Sequence, residues 1–312
     1  MVRPPGFGPG LTAWKADVLN QARLRPQFNA SIRDSVASRL KFLKILCGIR
    51  KIYHALSLLS QQRLQTMRAV KAVVFDFIGT LATVEDYSYE NSEEKLYQSL
   101  CKAGFDVERA GFVEAYEKAH QKYRAIRYEE LVEVTNAVWI SEALNMLGLK
   151  TTPKDENVCM AVSLFFEDYI RSLKLRPHAT AVLGKLSPRF ALGLVSNFTY
   201  AAVVHAGLEK LGIRHYFRTV LVSHDFGWRK PSFRVFREIL QRLGVAGEEA
   251  VYVGDSPEED IKGAQSVGMK TIFIPSQFYG FEDLEGAAVH PDFKITDLAE
   301  LLQILLPFRT EK

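Results

Sequence analysis

Residues 72–81 read Ala-Val-Val-Phe-Asp-Phe-Ile-Gly-Thr-Leu, and no other stretch limits the fold as strongly. Ala72–Phe75 is a short apolar run bounded by a turn at Gly79 and Thr80, which predicts a strand buried on both faces of a parallel sheet. The carboxylate of Asp76 then stands where that strand ends, the edge at which parallel α/β sheets bind ligands. An Asp in such a turn also has a plainer use, accepting hydrogen bonds from its own backbone. The stretch by itself does not choose between the two.

Further along, strand-like runs recur over 190–195, 219–222, 250–254, 270–274 and 293–295. Helical periodicity fills the gaps near 178–186, 200–211, 232–243 and 258–267, and returns at 297–306. Strands alternating with helices predict right-handed βαβ units and a parallel sheet. Between Leu81 and Arg176-Pro177 the pattern is helical throughout, over 89–104, 109–125, 128–147 and 155–172. Four helices with short connections predict a bundle inserted after the first strand, with Tyr116, Trp139, Phe165 and Phe166 in its core. The expected class is therefore α/β, a parallel sheet with helices on both faces and an inserted all-helical cap. Its core is assigned to 67–83 and 176–312 and its cap to 84–175.

Charge sets the first 66 residues apart. They carry eleven Lys/Arg against two acids, Asp17 and Asp34, a charge of +9, so that within a total of +4 the remaining residues carry −5. Residues 1–30 have turn-forming composition and read as disordered, while 35–65 have a basic amphipathic pattern. Such a segment can lie on a membrane surface, meet nucleic acid or serve as a transit peptide. The preferred reading is an over-extended start, with Met67, five residues before the first strand, as the natural one. An acidic body argues against a nucleic-acid partner. No apolar run reaches the ~18 residues of a membrane span. Three dispersed cysteines, Cys47, Cys101 and Cys159, argue against a disulfide framework and fit a reducing cytoplasm. A homodimer is left open.

The chemistry-bearing residues gather at the strand ends. The first strand leads to Asp76 and the second to Ser196-Asn197. The third is followed by His224-Asp225 and then Gly227-Trp228-Arg229-Lys230-Pro231, and the fourth by Asp255-Ser256-Pro257-Glu258-Glu259-Asp260. In a parallel sheet these distant groups converge on one edge. Each has a local alternative: Asp255-Ser256-Pro257 can begin a helix, Ser196 can be a turn residue, Lys230 can be a solvated charge, and His224 and Asp225 read as structural.

In order and spacing the four stretches resemble the four motifs of the haloacid dehalogenase superfamily, over roughly residues 70–306. The resemblance implies a Rossmann-like core, a cap inserted after the first motif, and Mg²⁺-dependent hydrolysis of a small phosphorylated substrate through an aspartyl-phosphate. It makes Asp76 the nucleophile, a role in which a carboxylate needs a metal to orient the phosphoryl group. The metal set would be Asp76, the main-chain carbonyl of Ile78, Asp255 and Asp260, the last as a supporting acid. Thr80, Ser196, Asn197 and Lys230 would bind the phosphoryl group, with Lys230 also holding Asp76 ionised.

One position departs from the family. Its phosphatases carry a second Asp two residues after the nucleophile, as general acid and base, and here that position is Ile78. The loss is worth about 10²–10⁴ in rate. Three hydrolytic readings remain: a phosphatase served by water or a cap residue, a phosphonatase-like enzyme with a cap lysine (Lys118 or Lys122), and a 2-haloacid dehalogenase-like enzyme, which needs no metal. The carboxylates of 255–260 favour metal-dependent phosphoryl chemistry. A fourth reading is a binding protein on a weakened hydrolase fold. Gly79 and Arg176-Pro177 are candidate hinges for the cap.

Overall fold

The computed structural model describes residues 69–306, and the basic leader with Met67 lies outside them. Six parallel strands form one sheet: β1 (Ala72–Phe75), β4 (Ala191–Ser196), β5 (Thr219–Val222), β6 (Ala250–Gly254), β7 (Lys270–Phe273) and β8 (Phe293–Lys294). Their order across the sheet is β5-β4-β1-β6-β7-β8. β1 is central, and the chain winds outward from it first through β4 and β5, then through β6, β7 and β8. The crevice at such a switch point lies at the carboxyl ends of the strands.

All of β1 is buried because alternate side chains enter different cores. Val73 and Phe75 pack with Leu192, Leu194, Val251 and Val253 on one face. Ala72 and Val74 pack with Val235, Phe236 and Ile239 on the other. Two apolar faces explain why the run shows no alternation in sequence. Register then places the chemistry: Phe75 is level with Leu194 and with Val253. Asp76 therefore stands one residue below Ser196 and Asp255 on the neighbouring strands.

The insert leaves and rejoins the core through a two-stranded antiparallel ribbon, β2 (Ala82–Val84) with β3 (Leu173–Leu175). Neither strand was expected, since three residues are too few to show a period. Between them lie helices Tyr89–Lys102, Arg109–Ala125, Asn136–Met146 and Glu156–Ser172. Ser88 caps the first by accepting from the Asn91 N–H, and Asp155 caps the last by accepting from Asn157. Tyr116, Trp139, Phe165 and Phe166 are buried in the bundle, as expected.

The single helix expected over 128–147 is corrected. The chain makes a wide helical turn, Ile126–Glu130, then runs non-helically from Leu131 (φ 58°) to Thr135 before Asn136–Met146 begins. The Leu-Val-Glu-Val-Thr run is β-prone, and Val132 pairs with Trp228 of the core, so a tertiary partner outweighs helical periodicity. The last helix is also shorter, Glu300–Leu305, because Asp297 instead accepts from the Ala299 N–H and Glu300 accepts from Thr296. A short helix at Phe281–Gly286 was not expected. Among the described residues no helix is long and apolar enough to cross a membrane, and Cys101 and Cys159 are free.

Candidate active site

Asp76 leaves the end of β1 only 5% exposed. Its Oδ1 accepts from Lys230 Nζ at 2.7 Å, while its Oδ2 is buried with no hydrogen-bond partner. Lys230 reaches the site from the loop after β5 and is itself 2% exposed. Its ammonium also donates to Asp260 Oδ1 at 2.6 Å and to the Tyr252 hydroxyl at 3.2 Å. Asn197 fixes the lysine's main chain on both sides, its Oδ1 accepting from Lys230 N at 2.8 Å and its Nδ2 donating to Lys230 O at 3.0 Å.

The fourth motif turns over the end of β6. Asp260 Oδ2 accepts from the Asp255 and Ser256 amides at 3.1 and 3.0 Å, and its Oδ1 accepts from Lys230 and from Tyr252 at 3.0 Å. A carboxylate has about four lone-pair sites, so donors fill those of Asp260. Asp255 is engaged at Oδ2, which accepts from Ser276 Oγ at 2.5 Å. Ligand atoms of Asp76, Asp255 and Asp260 lie within 4.8 Å of one another.

Two glycines make this closeness possible. A Cβ on Gly79 would stand 2.2 Å from Asp255 Oδ2, and its φ of +106° is itself unsuited to a side chain. A Cβ on Gly254 would fall 2.5 Å from the Asp260 carboxyl.

Three carboxylates against one ammonium leave a formal charge of −2 when all ionise, in a buried site. Burial pushes the Asp76 carboxyl up to about 6, with the Lys230 charge pulling it down and Asp260 adding to the rise. Burial, reinforced by the Asp76 and Asp260 charges, holds Asp255 well above the usual carboxylate range. Burial would depress Lys230, but Asp260 and Asp76 outweigh it and keep the ammonium protonated far above its ordinary range. An orphaned carboxylate oxygen, a second raised carboxyl and three crowded buried carboxyl groups fit an oxygen-liganded divalent cation.

Of the residues singled out in sequence, Asp76, Asn197, Lys230, Asp255 and Asp260 are joined by direct bonds. Ser196 is buried beside them at the end of β4. Thr80 is fully buried, and its hydroxyl has no hydrogen-bond partner. Ile78 is half-buried and bridges to Ala82. The candidate hinge residue Arg176 donates from Nη1 to Gly79 O at 2.6 Å. The two cap lysines stand elsewhere: Lys118 is exposed and paired with Glu114, and Lys122 with Glu142. His224 bonds Thr199 O through Nδ1 at 2.9 Å, a structural contact.

Sequence reasoning missed Tyr252, Ser276 and the buried ions around Arg229. Tyr252 is a lone hydroxyl in the apolar strand Ala250–Gly254, and Ser276 follows β7, so the strand-end rule extended to β7 finds it. Arg229 and Glu259 lie within the strand-end stretches but carry no role there, and Glu133, inside a helical pattern, gives no comparable signal.

A family model described as haloacid dehalogenase-like hydrolase matches residues 70–268. A glyceraldehyde 3-phosphate phosphatase of Methanopyrus kandleri is 30% identical over 241 residues, covering 76% of this chain and 97% of that protein. One from Pyrococcus furiosus is 38% identical over 246 residues, covering 77% and 94%. Among solved structures, a 2-haloacid dehalogenase from Pseudomonas syringae pv. Tomato DC3000 superposes with a TM-score of 0.57 at 25% identity, covering 77% of this chain and all of that one.

Proposed function

The chain belongs to the haloacid dehalogenase-like hydrolases, and from that premise we propose that it hydrolyses phosphate monoesters of small metabolites, sugar or triose phosphates among them, through an aspartyl-phosphate on Asp76. The observation that carries this reading is the state of the Asp76 carboxylate. One oxygen is held by Lys230, and the other is buried without a partner beside Asp255.

One oxygen of the Asp76 carboxylate attacks phosphorus, a P–O bond forms to it, and the bond from phosphorus to the ester oxygen breaks. Lys230 balances the negative charge of the transferring group and keeps the attacking carboxylate ionised. Asn197 acts through the lysine, holding its main chain. Water then cleaves the acyl phosphate and releases inorganic phosphate. Asp76, Asp255 and the Ile78 carbonyl would hold Mg²⁺, which supplies charge neutralisation and orientation of the phosphoryl oxygens. Asp260, the supporting acid of that set, also orients Lys230 and the main chain of 255–256.

The relatives named as phosphatases of a three-carbon sugar phosphate support the substrate class. The experiment is phosphate release from a panel of sugar and triose phosphates with Mg²⁺ and with EDTA. Release that depends on Mg²⁺ supports the reading, and undiminished release in EDTA removes the metal from it. A second reading, halide displacement from a 2-haloacid, draws on Ile78 and on the likeness to the Pseudomonas dehalogenase. It gives no use to three buried carboxyl groups within 4.8 Å of one another. Metal-free halide release would establish it in place of the first.

Two results are expected at this site. With Ile78 unable to transfer a proton, the leaving alkoxide takes its proton from water, so turnover should fall steeply as the leaving alcohol becomes less acidic. Ile78→Asp should raise kcat by about 10²-fold on alkyl phosphates and far less on 4-nitrophenyl phosphate, as read from kcat across a leaving-group series. The other result is thermal. Folding raises the Asp76 pKa from 3.8 to about 6, so its stabilising contribution without metal is full below 3.8 and lost as pH rises through 6. Mg²⁺ needs the carboxylate, so the Tm gain on adding Mg²⁺ should be small below pH 6 and grow above it, as measured by calorimetry.

A further inference from the structure

After the turn Ile126–Glu130 the insert crosses the very loop that carries Lys230. Glu133 N donates to Gly227 O at 2.9 Å, Arg229 N donates to Leu131 O at 3.0 Å, and Val132 bridges to Trp228. At the centre of this crossing the Glu133 side chain is fully buried. Its Oε1 accepts from Arg127 Nε at 3.0 Å and from the Val134 amide at 3.1 Å, and lies 3.5 Å from Arg229 Nη1. Its Oε2 accepts from Ser223 Oγ at 2.5 Å.

From Glu133 two chains of bonds lead to the site. The Ser223 hydroxyl accepts from the Phe198 amide at 2.9 Å, next to Asn197. Arg229, 3% exposed, donates from Nη2 to Glu259 Oε1 at 3.3 Å, and Glu259 Oε2 accepts from Asn197 Nδ2 at 2.9 Å. Asn197 in turn holds the main chain of Lys230 on both sides. Arg229 Nε and Nη1 have no hydrogen-bond partner, so the nearby Glu133 charge compensates that edge. A fully buried carboxylate is expensive unless paired. Here it is paired with one guanidinium from the insert and one from the core.

We propose that Glu133 is a positioning residue: by closing the insert onto the Lys230 loop it sets the ammonium against Asp76, and its loss lowers turnover without weakening substrate binding. The proposal rests on the phosphoryl-transfer reading for its kinetic consequence and on the geometry alone for its structural one. A lysine that stabilises charge developing at phosphorus matters more in the transition state than in the bound substrate. A misplacement of ~1 Å can cost about 10²-fold. Removing the charge leaves Arg229 paired with Glu259, which draws Glu259 away from Asn197.

The test is Glu133→Gln in the full chain, with 4-nitrophenyl phosphate and Mg²⁺, read by kcat, KM and amide hydrogen exchange. The expected result is kcat lower by about 10–10²-fold with KM within about threefold. Exchange should be at least about tenfold faster at Phe198, Arg229 and Lys230, with Asp76 and the β4 and β6 amides unchanged. Ser223→Ala, which removes one hydroxyl and no charge, should act in the same direction, less strongly and chiefly at Phe198. Unchanged kcat and exchange in both variants overturn the proposal. So does exchange raised throughout the protein with kcat falling only with the folded fraction. Failure of the phosphoryl-transfer reading shows separately, as no Mg²⁺-dependent phosphate release by the wild type, and the exchange at Phe198, Arg229 and Lys230 then decides the role of Glu133.

Discussion

Asp76→Asn is expected to lower kcat by roughly 10⁴–10⁶-fold, the scale on which covalent hydrolases respond to loss of the nucleophile, while the protein stays folded. The substitution preserves shape, and the Asn oxygen can still accept from Lys230 Nζ, now 2.7 Å from Oδ1. It also removes one of three crowded carboxylates. In chelator the variant should melt at or above the wild-type temperature, because the neutral side chain avoids a desolvation cost that already pushes Asp76 up to about 6. Mg²⁺ should no longer raise its Tm appreciably, since a carboxylate ligand is gone. Activity and stability thus move in opposite directions. A residue that merely supports the fold would lose both.

Lys230→Met is expected to lose both. The ammonium lies within bonding distance of Asp76 and Asp260, at 2.7 and 2.6 Å, and all three groups are buried. Removing one partner of a buried ion pair leaves uncompensated charge and costs about 3–5 kcal/mol. For a domain of this size that is a fall in Tm of roughly 6–20 °C. Turnover should fall by about 10²–10³-fold, the scale for one preorganised charge-stabilising donor. Lys230→Met with Asp260→Asn should recover part of the Tm and none of the kcat. The stability loss comes from a stranded carboxylate, whereas the kinetic loss comes from the absent cation over Asp76. Calorimetry and steady-state kinetics on the single and double variants check both parts.

The sheet was legible because a strand buried on both faces writes itself as an unbroken apolar run. Asp76, Ser196 and Asp255 stand where such runs stop, and parallel register then brings them to within one residue of one another. Asn197, Lys230 and Asp260 were legible by the same rule with the family's motifs beside it. The ribbon of β2 with β3 was not, because its pairing is ninety residues distant and its strands are too short to show a period. The break after Glu130 was hidden for a related reason: Leu131–Thr135 departs from the helix to meet Trp228 and Gly227, partners that only the folded core supplies. Tyr252 looked like one more large residue of an apolar strand until its hydroxyl was found between Lys230 and Asp260. Asp260 belongs to the metal set by its motif as a supporting acid, and the fold places its carboxylate within 4.8 Å of those of Asp76 and Asp255.

The most direct test of the account is chemical capture of the enzyme during turnover. Wild-type protein is mixed with a sugar phosphate and Mg²⁺, quenched in acid within the turnover time, digested, and mapped by mass spectrometry. One phosphoryl group is expected on Asp76, within the peptide containing residues 72–81, and none on Asp76→Asn protein. A phosphoryl group on another side chain, or steady phosphate release with Asp76 unmodified at every quench time, would contradict it.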